Sequence, residues 1–252
     1  RIAGYGWSIN LHADGEYFFD YSNVIGRHDK ATEYEDDYDV PGLPNLDHFI
    51  KLSMDLNNNS NFNYSSDIRS INEFNGAWNL RLDGKRHINP VTISADVNSS
   101  LPEGLVIHVV DIPNRMVYDQ FLVNGIIIDD KLTEGYDMKL VAGDQQYVEE
   151  TVLKILSEIP EEFSLSQNYP NPFNPLTKID FSLPKTGRVV ITIYNLLGQE
   201  VTTLVNERLS YGYHTITWQG TDKMGRPVGS GVYFSELKTA GNRKTRKMLL
   251  LK

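Results

Sequence analysis

With 252 residues, 40% of them hydrophobic, the chain is long enough for one or two packed domains and too apolar for a disordered protein. The absence of cysteine excludes disulfides and thiolate catalysis, and no apolar run reaches the roughly 20 residues of a membrane-crossing helix. The net charge of −9 hides a division, because the first 159 residues carry 26 acidic against 12 basic groups and the remainder 7 against 12. An acidic front half repels phosphates and argues against nucleic acid as a partner. The basic tail suits acidic surfaces or anionic lipopolysaccharide, or else its lysines keep strand edges soluble and unpaired. Arg1 begins the chain without a charged-then-apolar leader, as expected of a processed form or of the tail of a longer protein.

Alternation of apolar and polar residues at period two dominates the front half. Gly4 to His12 places Trp7, Ile9 and Leu11 on one side of a first strand. In the aromatic run from Glu16 to Tyr21, Tyr17, Phe18 and Phe19 belong either to a core or, if exposed and coplanar, to a platform for glycan. His48 to Leu56 reads as a strand with Ile50, Leu52, Met54 and Leu56 on its dry face. Ala77 to Leu82 and Val91 to Val97 follow, and Leu105 to Val110, long and β-branched, is expected inside a sheet. Gly135 to Val141 and Gln146 to Leu156 are expected to complete a sandwich whose core pivot is Trp78. Residues 1–157 thus read as an acidic all-β module, immunoglobulin-like or jelly-roll-like, with a short acidic hinge at 158–162.

The most polar loop, Gly26 to Leu46, carries Asp29, Glu33, Glu35, Asp36, Asp37 and Asp39. Six carboxylates in eleven residues either hold Ca²⁺, which takes about six to eight hard oxygens, or form a solvated acidic loop; the EF-hand order is missing. The chain also lacks His-Glu-x-x-His, a Gly-x-Ser-x-Gly elbow and a phosphate loop. His108 and His214 read as hydrogen-bonded structural residues. A glycosidase carboxylate pair, which has no fixed spacing, is the one catalytic class left open. The expectation is a protein without catalytic activity.

From Phe163 the pattern changes. Pro170, Pro172 and Pro175 fix φ and remove amide donors, so Asn168 to Asn174 forms neither helix nor central strand. It reads as a shaped entry loop with Tyr169 and Phe173 as apolar anchors. Lys178 to Leu183, Arg188 to Tyr194, Tyr213 to Trp218 and Gly231 to Lys238 read as strands, and a hairpin through Gly241 leads to a last strand ending at Lys252. Short strands with glycine turns and no helical period make a second antiparallel sandwich of about 90 residues.

In order along this region, Gln167-Asn-Tyr-Pro-Asn-Pro-Phe-Asn-Pro175, Tyr194-Asn-Leu-Leu-Gly-Gln-Glu-Val201, Gly212-Tyr-His214, Trp218-Gln-Gly220, Ser230-Gly-Val-Tyr-Phe234 and Lys247-Met-Leu-Leu-Leu-Lys252 resemble the C-terminal sorting domain, type A, of type IX secretion cargo. The resemblance covers 163–252 and implies an immunoglobulin-like sandwich similar to that of the flagellar hook-capping protein. It further implies export to the outer surface of a Gram-negative bacterium, with the type IX translocon as partner. By position, Asn168, Tyr169, Pro170, Asn171, Pro172, Phe173, Gly198, Gly212, Lys247 and Lys252 are then the recognition residues, although Gly198 and Gly212 serve equally as turn residues. Asp36-Asp-Tyr-Asp-Val-Pro41 resembles a loop of β-sandwich modules that precede such domains. The expected protein is two tandem sandwiches at the cell surface, structural or adhesive, that bind surface glycan or join copies of themselves into a filament or layer. The alternative is the C-terminal accessory part, spacer or carbohydrate-binding, of a larger secreted hydrolase.

Overall fold

The computed structural model describes residues 5–16, 18–31, 40–41, 50–55, 63–70, 73–84, 90–98, 100–129, 132 and 135–252. Two compact units follow one another, 1–156 and 157–252. Both are sandwiches of β-sheets, so the fold is all-β apart from two helices among the described residues.

In the first unit the strands are β1 (Tyr5–Asp14), β2 (Phe19–His28), β3 (Ile50–Asp55), β4 (Asn63–Tyr64), β5 (Ser66–Ser70), β6 (Gly76–Gly84), β7 (Val91–Val97), β8 (Val106–Asp111), β9 (Met116–Tyr118), β10 (Ile126–Ile128) and β11 (Tyr136–Gly143). Helix α1 (Phe121–Asn124) precedes β10, and α2 (Gln145–Glu158) follows β11. One sheet has the order β10-β7-β1-β2-β5 and the other β4-β3-β6-β11-β8-β9. Period-two alternation determines which face each strand buries: β6 hides every second residue along its whole length. Trp7, Ile9 and Leu11 from the first sheet and Leu52, Trp78 and Leu140 from the second share one core. Trp7 and Trp78 meet edge to face with centroids 5.9 Å apart. Strand β8 lies inside its sheet, as its β-branched run predicts.

Trp78 is fully buried, and two guanidinium groups lie over its ring, Arg69 at 4.8 Å and Arg27 at 5.6 Å from the centroid. Arg27 donates to the carbonyls of Ser70 at 2.9 Å and Asn75 at 2.5 Å, and Arg69 makes a two-pronged pair with buried Asp67 at 3.0 Å on each prong. The pivot of this core is therefore a cation–π stack with its charges satisfied nearby.

Gln146 to Leu156 is the main departure from the sequence reading, which made it a strand. It lies within α2, because Val148, Val152 and Ile155 recur at helical spacing and are the helix's buried residues. Asp144 starts the helix by accepting the Tyr147 N–H at 2.8 Å, and its carboxyl is held below the ordinary value mainly by that bond and by Asn75. Gln145–Glu149 and Gln146–Glu150 bonds support the first turns. Glu158 ends α2, and Ile159 and Pro160 after it are buried.

The second unit contains β12 (Ser164–Leu165), β13 (Thr177–Leu183), β14 (Gly187–Asn195), β15 (Glu200–Leu209), β16 (Gly212–Trp218), β17 (Gly231–Lys238) and β18 (Arg243–Leu250). A sheet of order β12-β13-β16 faces one of order β15-β14-β17-β18. Within its largely aliphatic core three rings meet: Trp218 touches Phe173 at 5.5 Å and Tyr233 at 5.1 Å between centroids. The sequence reading omits β15, an edge strand in which Val205 alone is buried and whose pairing with β14 shifts register twice. It also placed Tyr169 among the anchors. Tyr169 is 78% exposed, because its backbone pairs with Lys178 in extended form while neighbouring Asn168 turns inward. Phe173 alone is the anchor, 2% exposed.

Candidate functional site

The stretch from Gln167 to Phe173 is built onto the rim of the second sandwich by its backbone. Tyr169 exchanges two hydrogen bonds with Lys178, each of 2.9 Å, which continues the β12–β13 pairing. Asn168, 2% exposed, donates to the Pro170 carbonyl at 3.0 Å and to Thr177 Oγ1 at 2.9 Å. Thr177 Oγ1 in turn donates to the Pro170 carbonyl at 2.9 Å. The prolines leave this loop short of amide donors, and one buried asparagine supplies the missing ones.

The same loop is tied to the end of the last strand. Asn171 Oδ1 accepts the Leu249 N–H at 2.9 Å, the Phe173 N–H donates to the Leu249 carbonyl at 3.0 Å, and the Leu251 N–H donates to the Phe173 carbonyl at 2.9 Å. Gln167 Nε2 donates to the Lys247 carbonyl at 2.8 Å, and the Lys252 N–H to Ser230 Oγ at 3.0 Å. The structure thus gathers Asn168 to Phe173 with Lys247 and Lys252. Gly198 joins them at the same end of the sheet, since Tyr233 pairs with both Asn195 and Met248. Gly212 does not: it pairs with Leu183, at the far end of β13 from Thr177. At Gly198 φ is +76° and no atom lies near an added Cβ, so the residue serves the turn through its backbone.

Burial divides the gathered residues into two roles. Asn168 and Phe173 hold the loop from inside, whereas Tyr169, Pro170, Asn171, Pro172, Lys247 and Lys252 face solvent. Around them stand apolar side chains that the sequence reading did not select: Leu251 at 49%, Leu196 at 70%, Leu197 at 81% and Met224 at 70% exposure. The turn bearing the two leucines is fixed by Asn195 Oδ1, which accepts the N–H groups of Leu197 and Gln199 at 3.0 Å. Lys223 N–H, bonded to the Val201 carbonyl at 3.0 Å, brings the Met224 loop beside it. In that loop Asp222 accepts the N–H groups of Arg226 and Met224, and the Arg226 bond is the main cause that holds its carboxyl below the ordinary range. An adjacent Leu-Leu pair in a tight turn, where polar residues are the rule, was the available signal.

The remaining candidates scatter. Asp29 sits with its carboxylate 3.1 Å from His28 Nδ1, while Glu33, Glu35, Asp36, Asp37 and Asp39 lie outside the described residues, so the calcium reading stays with the sequence. Among the described residues no three acidic or imidazole groups gather as metal ligands. Tyr17 also lies outside them. Phe18 packs against the first core, whereas Phe19 is 68% exposed and stacks on Tyr21. His214 is satisfied by the Ser210 carbonyl at 2.9 Å and stacks on Phe181. His108 lines an open groove of about 430 Å³ with Val117, Asp119, Glu149, Val152 and Leu153. No helix among the described residues is long and apolar enough to cross a membrane.

The second unit is an immunoglobulin-like sandwich. A family model for the FlgD Ig-like domain matches residues 176–242, a segment that holds β13 to β17 and excludes both the proline loop and β18. Among solved structures, FlgD from Pseudomonas aeruginosa is similar at 24% identity with a TM-score of 0.25, over 29% of this chain and 58% of that one. PorZ, described as an essential surface component of the type IX secretion system of Porphyromonas gingivalis, matches at 15% identity and TM-score 0.26, over 45% of this chain and 14% of that one. Dimeric latent PorU from the same organism matches at 15% identity and TM-score 0.30, over 71% and 18%. The chain therefore spans 58% of the first of these structures and less than a fifth of the other two. No curated protein matches the sequence.

Proposed function

We propose that the chain is a non-catalytic cell-surface protein exported through a type IX secretion system, with the second sandwich as its sorting signal and the first as an adhesive or structural module. One observation carries the reading. The motif-bearing proline loop and the end of the chain are bonded into a single rim that buries Asn168 and Phe173 and turns Tyr169, Asn171, Leu251 and Lys252 outward together. A rim set by backbone bonds gives a translocon the same surface each time, at little ordering cost. The FlgD-like core beneath it supplies the scaffold: the family match leaves out the proline loop and β18, while Gly198 and the exposed Leu196 and Leu197 lie within it.

Within this proposal, adhesion suits the first unit better than polymer formation suits the second. A filament joined through sheet edges needs flat, open edges. The edge strand β15 is charged and twice shifted in register, and β18 presents Arg243, Lys244, Arg246 and Lys247, the features that discourage strand addition. To test export, the full chain is given a secretory leader and produced in a type IX-competent bacterium and in a mutant without the translocon. The expected result is display on the competent cells and retention in the periplasm of the mutant. Equal display in both, or retention in both, overturns the proposal.

A further inference from the structure

The two faces of the first sandwich that point away from its core are unequal. Helix α2 lies against β8 and β9 on the outside of one sheet, where their side chains share the groove that contains His108. On the other sheet, Leu11, Ala13, Val91, Ile93, Ile126 and Ile128 fill the core, so their strand neighbours His12, Asp14, Thr92, Ser94 and Ile127 stand on the outer face. Pairing sets them in rows. Phe19, Asp14, Thr92 and Ile127 form one row across β2, β1, β7 and β10, and His12 with Ser94 and Asn10 with Asp96 form the next two.

Two exposed aromatic rings stand on this face. Phe19 and Tyr21 stack at 5.1 Å with 18° between their planes, and the edge contact of His12 with Tyr21, at 5.0 Å, supports the pair from one side. Phe19, 68% exposed against 49% for Tyr21, is the outer ring. Beside them the Tyr21 hydroxyl donates to Asp14, which raises the Tyr21 pKa above its ordinary value; His12 Nε2 bonds Asp96 at 3.1 Å, and Asn98 Nδ2 donates to Asn10 Oδ1 at 2.6 Å. The Asp96 side chain is 80% exposed. Among the described residues this face carries no lysine or arginine.

We infer that this face is a binding site for a pyranose polymer that lacks acidic groups. A pyranose offers an apolar C–H face that packs on an aromatic ring and a rim of hydroxyls that needs both acceptors and donors. Here one open ring is bordered by carboxylates, amides and hydroxyls in rows along the strands. The charge decides among glycans: carboxylates with no lysine or arginine among the described residues of the face repel sulfated or phosphorylated chains and attract the ammonium of an amino sugar. The inference deepens the adhesive half of the proposed function and rests on it. Of the three glycan candidates Tyr17, Phe18 and Phe19, it keeps Phe19, leaves out Phe18, which packs against the core, and adds Tyr21; Tyr17 lies outside the described residues.

The test is titration calorimetry of the full chain with cellohexaose, chitosan hexamer and a heparin hexasaccharide, each at roughly 1 mM. Binding of either of the first two, with none of heparin, is expected. Phe19→Ala, at an exposed position, should weaken it about tenfold without moving the melting temperature, while Tyr21→Phe should keep it. Tighter binding of chitosan that is lost with Asp96→Asn identifies the amino sugar as the ligand, and equal binding of chitosan and cellohexaose identifies the neutral chain. No binding of either sugar, equal binding of heparin, or an undiminished affinity in Phe19→Ala overturns the inference. Because export is measured separately, such a failure leaves the sorting proposal standing.

Discussion

The two sandwiches stabilise their centres by different chemistry. The first buries charge: two guanidinium groups lie over the Trp78 ring, and Asp67 and main-chain carbonyls accept hydrogen bonds from them. The second buries rings: Trp218 joins Phe173 and Tyr233, and its indole N–H donates to the Thr221 carbonyl at 3.0 Å. A charged centre depends on every partner being present, since losing one strands another, whereas the aromatic centre loses packing and one neutral hydrogen bond. Mutations of similar size should therefore be felt more sharply in the first unit.

The comparison is tested most strongly at the two tryptophans. Each truncation to alanine should cost about 3–5 kcal/mol, with Trp78→Ala the larger because two cations lose their ring. Hydrogen exchange followed unit by unit, together with denaturant titration, should place each loss in its own sandwich. Next, Asp67→Ala should cost about 3 kcal/mol, because Arg69, only 21% exposed, loses its two-pronged partner. A loss well under about 1 kcal/mol would mean that the pair is effectively solvated. In the second unit Asn168→Ala should cost about 1–3 kcal/mol and speed exchange at Tyr169 and Leu251, by removing the donor that holds the loop. The smallest effect is acid sensitivity. Asp144 in one unit and Asp222 in the other have carboxyls lowered from an ordinary value of 3.8, so their stabilisation is full above that value and is lost as pH falls through the lower, folded values. Asp144→Asn and Asp222→Asn should each flatten the acid limb of the melting curve for its own unit.

Much of this architecture was legible because β-strands that line a core must alternate. β6 shows that alternation in sequence and in burial alike, and β13 does so until Ser182, which is buried between Phe181 and Leu183 in the chain. Reading failed where another force sets the period. In α2 the β-branched residues suggest a strand, yet Val148, Val152 and Ile155 and the Asp144 cap carry the helical signal. β15 was illegible because an edge strand with Val205 as its one buried residue need not alternate. The site was half legible. Motif order located the proline loop and the last strand, but not which residues face out: Asn168 is hidden by its bond to Thr177, and Tyr169 is exposed by pairing with Lys178. Phe19 was among the sequence candidates, but its stacking partner Tyr21 was not, because sequence marks aromatic residues without telling which face of the strand each one takes.

The most direct test of the proposed sorting surface uses two tyrosines at opposite ends of one sheet. Tyr169, 78% exposed, is bonded across to Lys178 on the rim, and Tyr213, 71% exposed, pairs with Ser182 away from it. Surface display of the full chain is measured for Tyr169→Ser and Tyr213→Ser in a type IX-competent host, alongside the melting temperature of each purified variant. The account predicts that Tyr169→Ser loses display, that Tyr213→Ser keeps it, and that both melt like the parent. Normal display of Tyr169→Ser, or equal loss in both variants, would contradict it.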